Sequence, residues 1–120
     1  MTVKLNQDGY EYAQELIERA KVVADDRDAW SEHQPTAEQE NEFIDAHGYE
    51  AFGKWHLGID SDAGEDTKAR YKFPYGDFKN VHRCAILSAE SRAGQYKHED
   101  IRRAAGHLYD MVETAAARAR

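Results

Sequence analysis

The stretch from Arg70 to Asp77, Arg-Tyr-Lys-Phe-Pro-Tyr-Gly-Asp, constrains the fold more than any other part of the chain. Its aromatic residues alternate with Lys72 and Pro74, and a period of two is typical of a short strand with one buried face. Pro74 has no amide proton and therefore belongs at the end of a strand or on a sheet edge. We predict a short strand here, which ends in a turn at Gly76.

A long helical pattern follows this strand. Asp77 is a suitable N-cap, because its carboxylate can accept hydrogen bonds from backbone amides two or three residues further on. The pattern predicts a helix from Phe78 to about Ala93, with Gly94 at its end. Apolar residues lie along one arc, whereas Cys84 and Leu87 project to the opposite side. A helix that is apolar on two sides is usually packed on two sides, so we place it at the centre of the core.

This part of the chain resembles a short helical module of unknown function. The resemblance rests on Tyr71-Lys-Phe-Pro-Tyr-Gly-Asp77, on Val81-His-Arg-Cys-Ala-Ile86 and on an alanine-rich second helix, and it covers roughly residues 71–112. The module occurs in bacterial hypothetical proteins and near phage head-region genes. The whole chain is also similar to a family of small uncharacterised bacterial proteins that carry Trp-His-Leu-Gly-Ile, here residues 55–59. The resemblance implies a loose link to phage assembly and brings no catalytic residue with it.

Three further helices follow from apolar residues that recur at intervals of three and four. Their expected ranges are from Asn6 or Asp8 to about Ala24, from Thr36 to His47, and from Lys97 to about Ala115. Thr36 and Gln39 fit a capping box at the start of the second of these helices, and Gly48 is suited to end it. The tail from Ala116 to Arg120 contains only alanine and arginine and is expected to fray.

A second strand completes the predicted fold. The polar loop from Ser61 to Lys68 separates two short strands, which predicts a hairpin of Trp55–Ile59 with Arg70–Phe73. Because a lone hairpin is only marginally stable, it must lie against helices. We predict a mainly α fold in which about four helices pack against one small two-stranded β-hairpin, in a single domain of residues 1–120. The residues expected to be largely buried are Trp55, Tyr71, Phe73, Val81, Ala85 and Leu108.

The charges divide the chain into two unequal parts. Residues 1–66, the acidic helical half, hold 5 Lys and Arg against 17 Asp and Glu, a balance of −12; residues 67–120, the aromatic strand and two-helix module, hold 11 against 6, a balance of +5. We expect the two halves to attract each other, either within one chain or between two. A homodimer is the simplest closed assembly, and its expected apolar interface is Trp30, Cys84 and Leu87.

Several classes of protein are not favoured. No run of about eighteen apolar residues predicts a membrane span, and the start of the chain lacks the apolar segment of a signal peptide. The chain contains one cysteine, Cys84, so no intrachain disulfide is expected. A cytoplasmic location is the default for such a chain.

Six histidines raise the question of a metal site. His82 and Cys84 are two residues apart, and on a helix such side chains point about 200° away from each other, so we do not expect them to share a metal. No paired metal-binding motif is present, and the acidic loop after Asp60 has the wrong spacing for calcium. We therefore predict no metal and no cofactor, and a polar site, if there is one, at His56, His82 and Asp77.

Basic residues interleave with aromatic ones in the second half, which superficially suits stacking of single-stranded nucleic acid. The residues concerned are Lys68, Arg70, Lys72, Lys79 and Arg83, with Tyr71 and Phe73. Because the net charge of −7 opposes a polyanion, we do not favour nucleic acid as a partner. No catalytic residue can be selected, and a lone cysteine on a packed helix is usually inert.

The sequence thus favours a non-enzymatic interaction protein that binds a protein partner or itself. The alternatives are a nucleic-acid-associated or phage-assembly accessory protein and a small metal-dependent enzyme that uses the histidines.

Overall fold

A computed structural model describes residues 2–118. In chain order its elements are β1 (Val3–Leu5), α1 (Gln7–Glu18), β2 (Val22–Val23), α2 (Trp30–His33), α3 (Ala37–Gly53), β3 (His56–Asp60), a short 3-10 helix (Lys68–Arg70), β4 (Tyr71–Pro74), β5 (Val81–His82), α4 (Arg83–Gln95) and α5 (Glu99–Arg118). The predicted mainly α fold is confirmed. Within this range no helix combines the length and the apolar character that crossing a membrane requires.

The β structure is larger than the predicted hairpin. β3 and β4 pair antiparallel, with Gly58 opposite Lys72. However, β1 pairs with the other edge of β3, so the sheet has the order β1-β3-β4. β2 and β5 form a separate parallel pair. The prediction of a single two-stranded hairpin was therefore wrong, because strands of two or three residues are too short to show a period in the sequence.

The start of α4 also differs from the prediction. Asp77 does not cap a helix; its Oδ1 accepts hydrogen bonds from the backbone N–H groups of Lys79 at 3.0 Å and Asn80 at 2.8 Å, which closes a turn. α4 begins only at Arg83, and His82 before it has extended backbone angles. An aspartate can accept hydrogen bonds from amides two and three residues further on both in a helix N-cap and in a turn of this kind. The sequence pattern alone therefore does not distinguish a cap from a turn.

The other helices deviate mainly at their ends. α1 stops at Glu18, before a left-handed Ala20 with φ 61°. α3 has the predicted capping box of Thr36 and Gln39, but Gly48, with φ 86°, forms a kink after which the helix resumes. α5 continues to Arg118, so the part of the tail predicted to fray is helical as far as that residue. Residues 119–120 lie outside the described range.

The main apolar core draws residues from both halves of the chain, among them Ala13, Leu57, Ile86 and Leu108. Of the six residues predicted to be buried, Trp55, Val81, Ala85 and Leu108 are buried. Tyr71 and Phe73 are only half-buried. Instead, Tyr75 is the fully buried aromatic of this stretch, and its hydroxyl donates to the carbonyl of Lys54 at 2.6 Å.

The expected apolar interface is not an exposed surface. Trp30, Cys84 and Leu87 are all buried within one chain. Cys84 and Trp30 pack with Ala85 in a second, smaller apolar cluster. The expectation that they form an exposed face was therefore wrong: Trp30 of α2 packs on Cys84, and Leu87 is only 4% exposed. The homodimer itself stays a prediction.

The charge asymmetry is reflected only partly in ion pairs. Lys68 Nζ lies 3.3 Å from Glu40 Oε1 and so links the basic half to the acidic half. By contrast, Arg83 pairs with Glu113 at 2.9 Å inside the basic half. Such partly exposed pairs contribute about 0–1 kcal/mol each, so the core, and not charge attraction, holds the halves together.

Candidate metal centre

Four side chains from four separate elements meet beside the start of α4. Asp25 follows β2, His33 ends α2, His82 ends β5 and Cys84 lies in the first turn of α4. The parallel register explains part of this arrangement, because Val23 lies opposite His82. Asp25 and Cys84 each lie two residues beyond this pair, and they are again neighbours. The backbone N–H of Cys84 donates to Asp25 Oδ1 at 2.8 Å.

One carboxylate oxygen lies at the centre of this group. Asp25 Oδ2 is 2.6 Å from His33 Nδ1, 2.7 Å from His82 Nδ1 and 3.0 Å from Cys84 Sγ. Cys84 Sγ is in turn 4.0 Å from His33 Nδ1. One potential ligand atom from each of the four residues thus lies within 4.8 Å of the others. We call Asp25, His33, His82 and Cys84 the four-residue cluster.

The four-residue cluster is largely shielded from solvent. The side chains of Asp25 and His82 are 6% and 7% exposed, and Cys84 is buried. His33 forms the outer boundary, with 38% of its side chain exposed. His33 is therefore the member of the cluster that faces solvent, and the other three side chains are enclosed.

Burial and hydrogen bonding shift the pKa values of three residues in the cluster, Asp25, His82 and Cys84. Burial tends to raise the pKa of Asp25, but hydrogen bonds from Cys84, His82 and His33 outweigh it and hold that pKa well below its usual range. Burial tends to lower the pKa of His82, but hydrogen bonds to Asp77 and Asp25 raise it. For the Cys84 thiol, burial and Asp25 together raise the pKa to about 12. Cys84 is therefore a protonated hydrogen-bond donor to Asp25 and not an activated nucleophile.

A second carboxylate orients His82 from the other side of its ring. Asp77 Oδ2 lies 3.0 Å from His82 Nε2, while Asp77 Oδ1 is held by the two backbone amides of its own turn. Histidines that bind metals commonly donate the second ring N–H to a carboxylate in this way. Asp77 thus directs His82 Nδ1 towards the centre of the cluster.

His56, the third residue of the predicted polar site, lies elsewhere. Its ring is buried against Phe52, with centroids 4.6 Å apart, and its Nδ1–H donates to the carbonyl of Phe52 at 2.9 Å. Burial lowers the pKa of His56 to about 4. The structure therefore brings His82 and Asp77 together and leaves His56 as a neutral histidine of the core.

Sequence reasoning missed Asp25 and His33 and separated His82 from Cys84. The separation assumed that His82 and Cys84 share one helix, whereas His82 lies in β5. Asp25 is 59 residues from Cys84 and reaches it through a parallel pair of two-residue strands. No spacing motif in the sequence marks such a contact.

Comparisons of the chain with models of known protein families, with curated proteins and with solved structures find no match.

Proposed function

We propose that the protein binds a transition-metal ion, preferably Zn²⁺, through Asp25, His33, His82 and Cys84. The observation that carries this proposal is the convergence of their ligand atoms within 4.8 Å of one another. Two imidazole nitrogens, one thiolate and one carboxylate oxygen are donor types that tetrahedral zinc accepts. A sulfur ligand disfavours Mg²⁺ and Ca²⁺, which prefer oxygen.

The separations within the cluster support a site of this size. Zinc bond lengths of about 2.0–2.3 Å in a tetrahedron place neighbouring ligand atoms roughly 3.3–3.6 Å apart. The separations measured from Asp25 Oδ2 are 2.6, 2.7 and 3.0 Å, and that from Cys84 Sγ to His33 Nδ1 is 4.0 Å. Seating an ion therefore requires the Asp25 carboxylate oxygen to withdraw from the centre of the cluster, and Cys84 Sγ and His33 Nδ1 to approach each other.

An ion in this place would substitute for protons. The Cys84 thiol and His82 Nδ1 would each release a proton to solvent, and His82 would keep its Nε2–H on Asp77. His33, which donates from Nδ1 to Asp25, would carry its proton on Nε2 instead, so that Nδ1 is free to bind the ion. The charges of a divalent ion, the Cys84 thiolate and the Asp25 carboxylate then sum to zero. The high pKa of the free thiol does not prevent binding, because a coordinating metal deprotonates a thiol outright.

Four protein ligands occupy all the coordination positions of a tetrahedral ion, which is the arrangement of a structural site. The ion would join the loop after β2, α2, β5 and α4, and any ligand that binds only the folded state stabilises it. A structural ion is compatible with the non-enzymatic, interacting protein that the sequence favours. This proposal replaces the prediction of no metal, which rested on the absence of a metal-binding spacing motif and on placing His82 in a helix.

The test is a calorimetric titration of metal-free protein with zinc, with His82→Ala and Cys84→Ala as ligand variants. We expect one equivalent to bind. Each variant should weaken binding by more than the tenfold to hundredfold that is typical when a residue that only orients a metal ligand is lost. His47→Ala is the matched control, because His47 is exposed and lies outside the cluster. Substoichiometric binding, or equal affinity in wild type and His82→Ala, would refute the proposal.

A further inference from the structure

A cleft lies between the three-stranded sheet and the junction of α4 with α5. It has a volume of about 320 Å³ and is lined by Val3, Lys72, Phe73, Arg92, Tyr96 and His98. No member of the four-residue cluster lines it, so it is a separate feature of the molecule. We call it the aromatic cleft.

Three aromatic side chains line the cleft, and one of them is largely exposed. Tyr96 is 60% exposed, although a large apolar ring normally gains by burial. Phe73 and His98 meet edge to face, with centroids 5.9 Å apart. A flat ligand could therefore stack on Tyr96 and contact the other two rings.

One strained backbone position borders the cleft. Phe73 has a φ value of 58°, in the left-handed region that bulky residues avoid. The ring of Phe73 lies over Gly58, where an added Cβ would come within 2.8 Å of it. Strain of this kind clusters at binding sites, where the surrounding structure holds it in place.

The cleft also contains two basic side chains, Lys72 and Arg92, that are not paired with carboxylates in the described part of the chain. Lys72 and Arg92 form no ion pair among residues 2–118. The acids that begin α5 are already engaged. Glu99 binds Arg102 at 2.6 Å, and Asp100 accepts from the backbone amides of Leu5 and Ile101, both at 2.8 Å.

We infer that the aromatic cleft binds a nucleotide, with the base on Tyr96, Phe73 and His98 and the phosphate between Lys72 and Arg92. Base stacking on aromatic rings tolerates any base, and the fork of Arg92 matches phosphate oxygens. The volume of about 320 Å³ is at the small end of ligand pockets, which suits one nucleotide. The nucleotide could be free or the end of a single strand.

An extended nucleic-acid surface is less compatible with the structure. Of the basic residues that interleave with aromatics in the sequence, Lys68 pairs with Glu40, Arg83 pairs with Glu113, and Arg70 donates to the carbonyl of Ala63. The two remaining members are Lys72, which lines the cleft, and Lys79, which does not. The cleft therefore selects a single nucleotide unit.

The test is a calorimetric titration of the full chain, with and without zinc, using adenosine monophosphate, adenosine, inorganic phosphate and a short oligothymidylate. We expect saturable binding of the monophosphate in both metal states, and adenosine and phosphate should bind at least about tenfold more weakly. Tyr96→Ala should weaken binding of the monophosphate at least about fivefold, and Tyr96→Phe should restore it. Arg92→Ala should weaken it similarly.

Arg103→Ala is the control for charge, because Arg103 is exposed on α5 and lies outside the cleft. Tighter binding of the oligonucleotide, with the same response to Tyr96→Ala, would identify a strand end as the source. The inference would be overturned if no saturable binding is seen. It would also be overturned if phosphate and the monophosphate bind equally well and Tyr96→Ala changes neither affinity.

Discussion

His82 and His56 are both buried, yet they occupy opposite chemical settings. His82 has a carboxylate at each ring nitrogen, Asp25 at 2.7 Å and Asp77 at 3.0 Å. His56 donates to one backbone carbonyl and otherwise packs against aromatic rings. The pKa of His82 is raised, because the hydrogen bonds outweigh burial. The pKa of His56 is lowered, because burial dominates. The comparison shows that partners, and not burial alone, decide whether a histidine belongs to a polar site.

The largest effect is expected when the shared carboxylate loses its charge. Asp25→Asn removes the anionic acceptor of His33 Nδ1, His82 Nδ1 and Cys84 Sγ, and breaking a buried charge pair costs about 3–5 kcal/mol of stability. Denaturant unfolding of the metal-free protein would measure this loss. Asp26→Asn, at the exposed neighbouring residue, should change stability little. Similar losses in the two variants would mean that Asp25 does not hold the cluster together.

The pH dependence of stability should distinguish the two histidines. Between the ordinary pKa of 6.5 and the folded-state pKa of about 4, His56 is protonated in the unfolded chain but not in the folded protein. Stability therefore falls as pH drops through that window, by up to about 3 kcal/mol in total. The stability that His82 contributes has the opposite sign: it is fully present below the ordinary pKa and is lost as pH rises through the raised one.

The measurement compares unfolding free energies of wild type and His56→Asn from pH 7 to pH 4. Asparagine can still donate towards the Phe52 carbonyl but does not titrate in this range. We expect the variant to lose less stability than wild type on acidification, whereas His47→Asn, at an exposed histidine, should follow the wild-type curve. Identical pH profiles for His56→Asn and wild type would show that His56 is not held neutral.

A smaller effect is expected from the residue that orients His82. Asp77→Asn keeps the shape of the side chain but weakens the hold on His82 Nε2, which should lower zinc affinity about tenfold to hundredfold. Zinc competition against a chromophoric chelator would measure the change, with Asp110→Asn, on exposed α5 surface, as the control. Unchanged affinity in Asp77→Asn would show that His82 needs no orienting carboxylate, while zinc binding itself would still stand.

The sequence revealed those parts of the fold whose signals are local. The β3–β4 pair follows from alternating aromatics, and the start of α3 follows from Thr36 and Gln39. The pairing of β2 with β5 has no local signal, because two-residue strands have no period and their register links Val23 to the distant His82. For the same reason Asp25 and His33 could not be recognised as site residues. The resemblance to a phage-associated bacterial module stays a prediction, as does self-association.

The most direct test of the metal centre is X-ray absorption spectroscopy of the protein loaded with one equivalent of zinc. The structure predicts a four-coordinate ion with one sulfur at about 2.3 Å and three nitrogen or oxygen atoms at about 2.0–2.2 Å. Cys84→Ser should remove the sulfur shell, whereas His47→Ala should leave the spectrum unchanged. A shell of six light atoms without sulfur in the wild-type protein would contradict the account, because zinc would then lie away from the four-residue cluster.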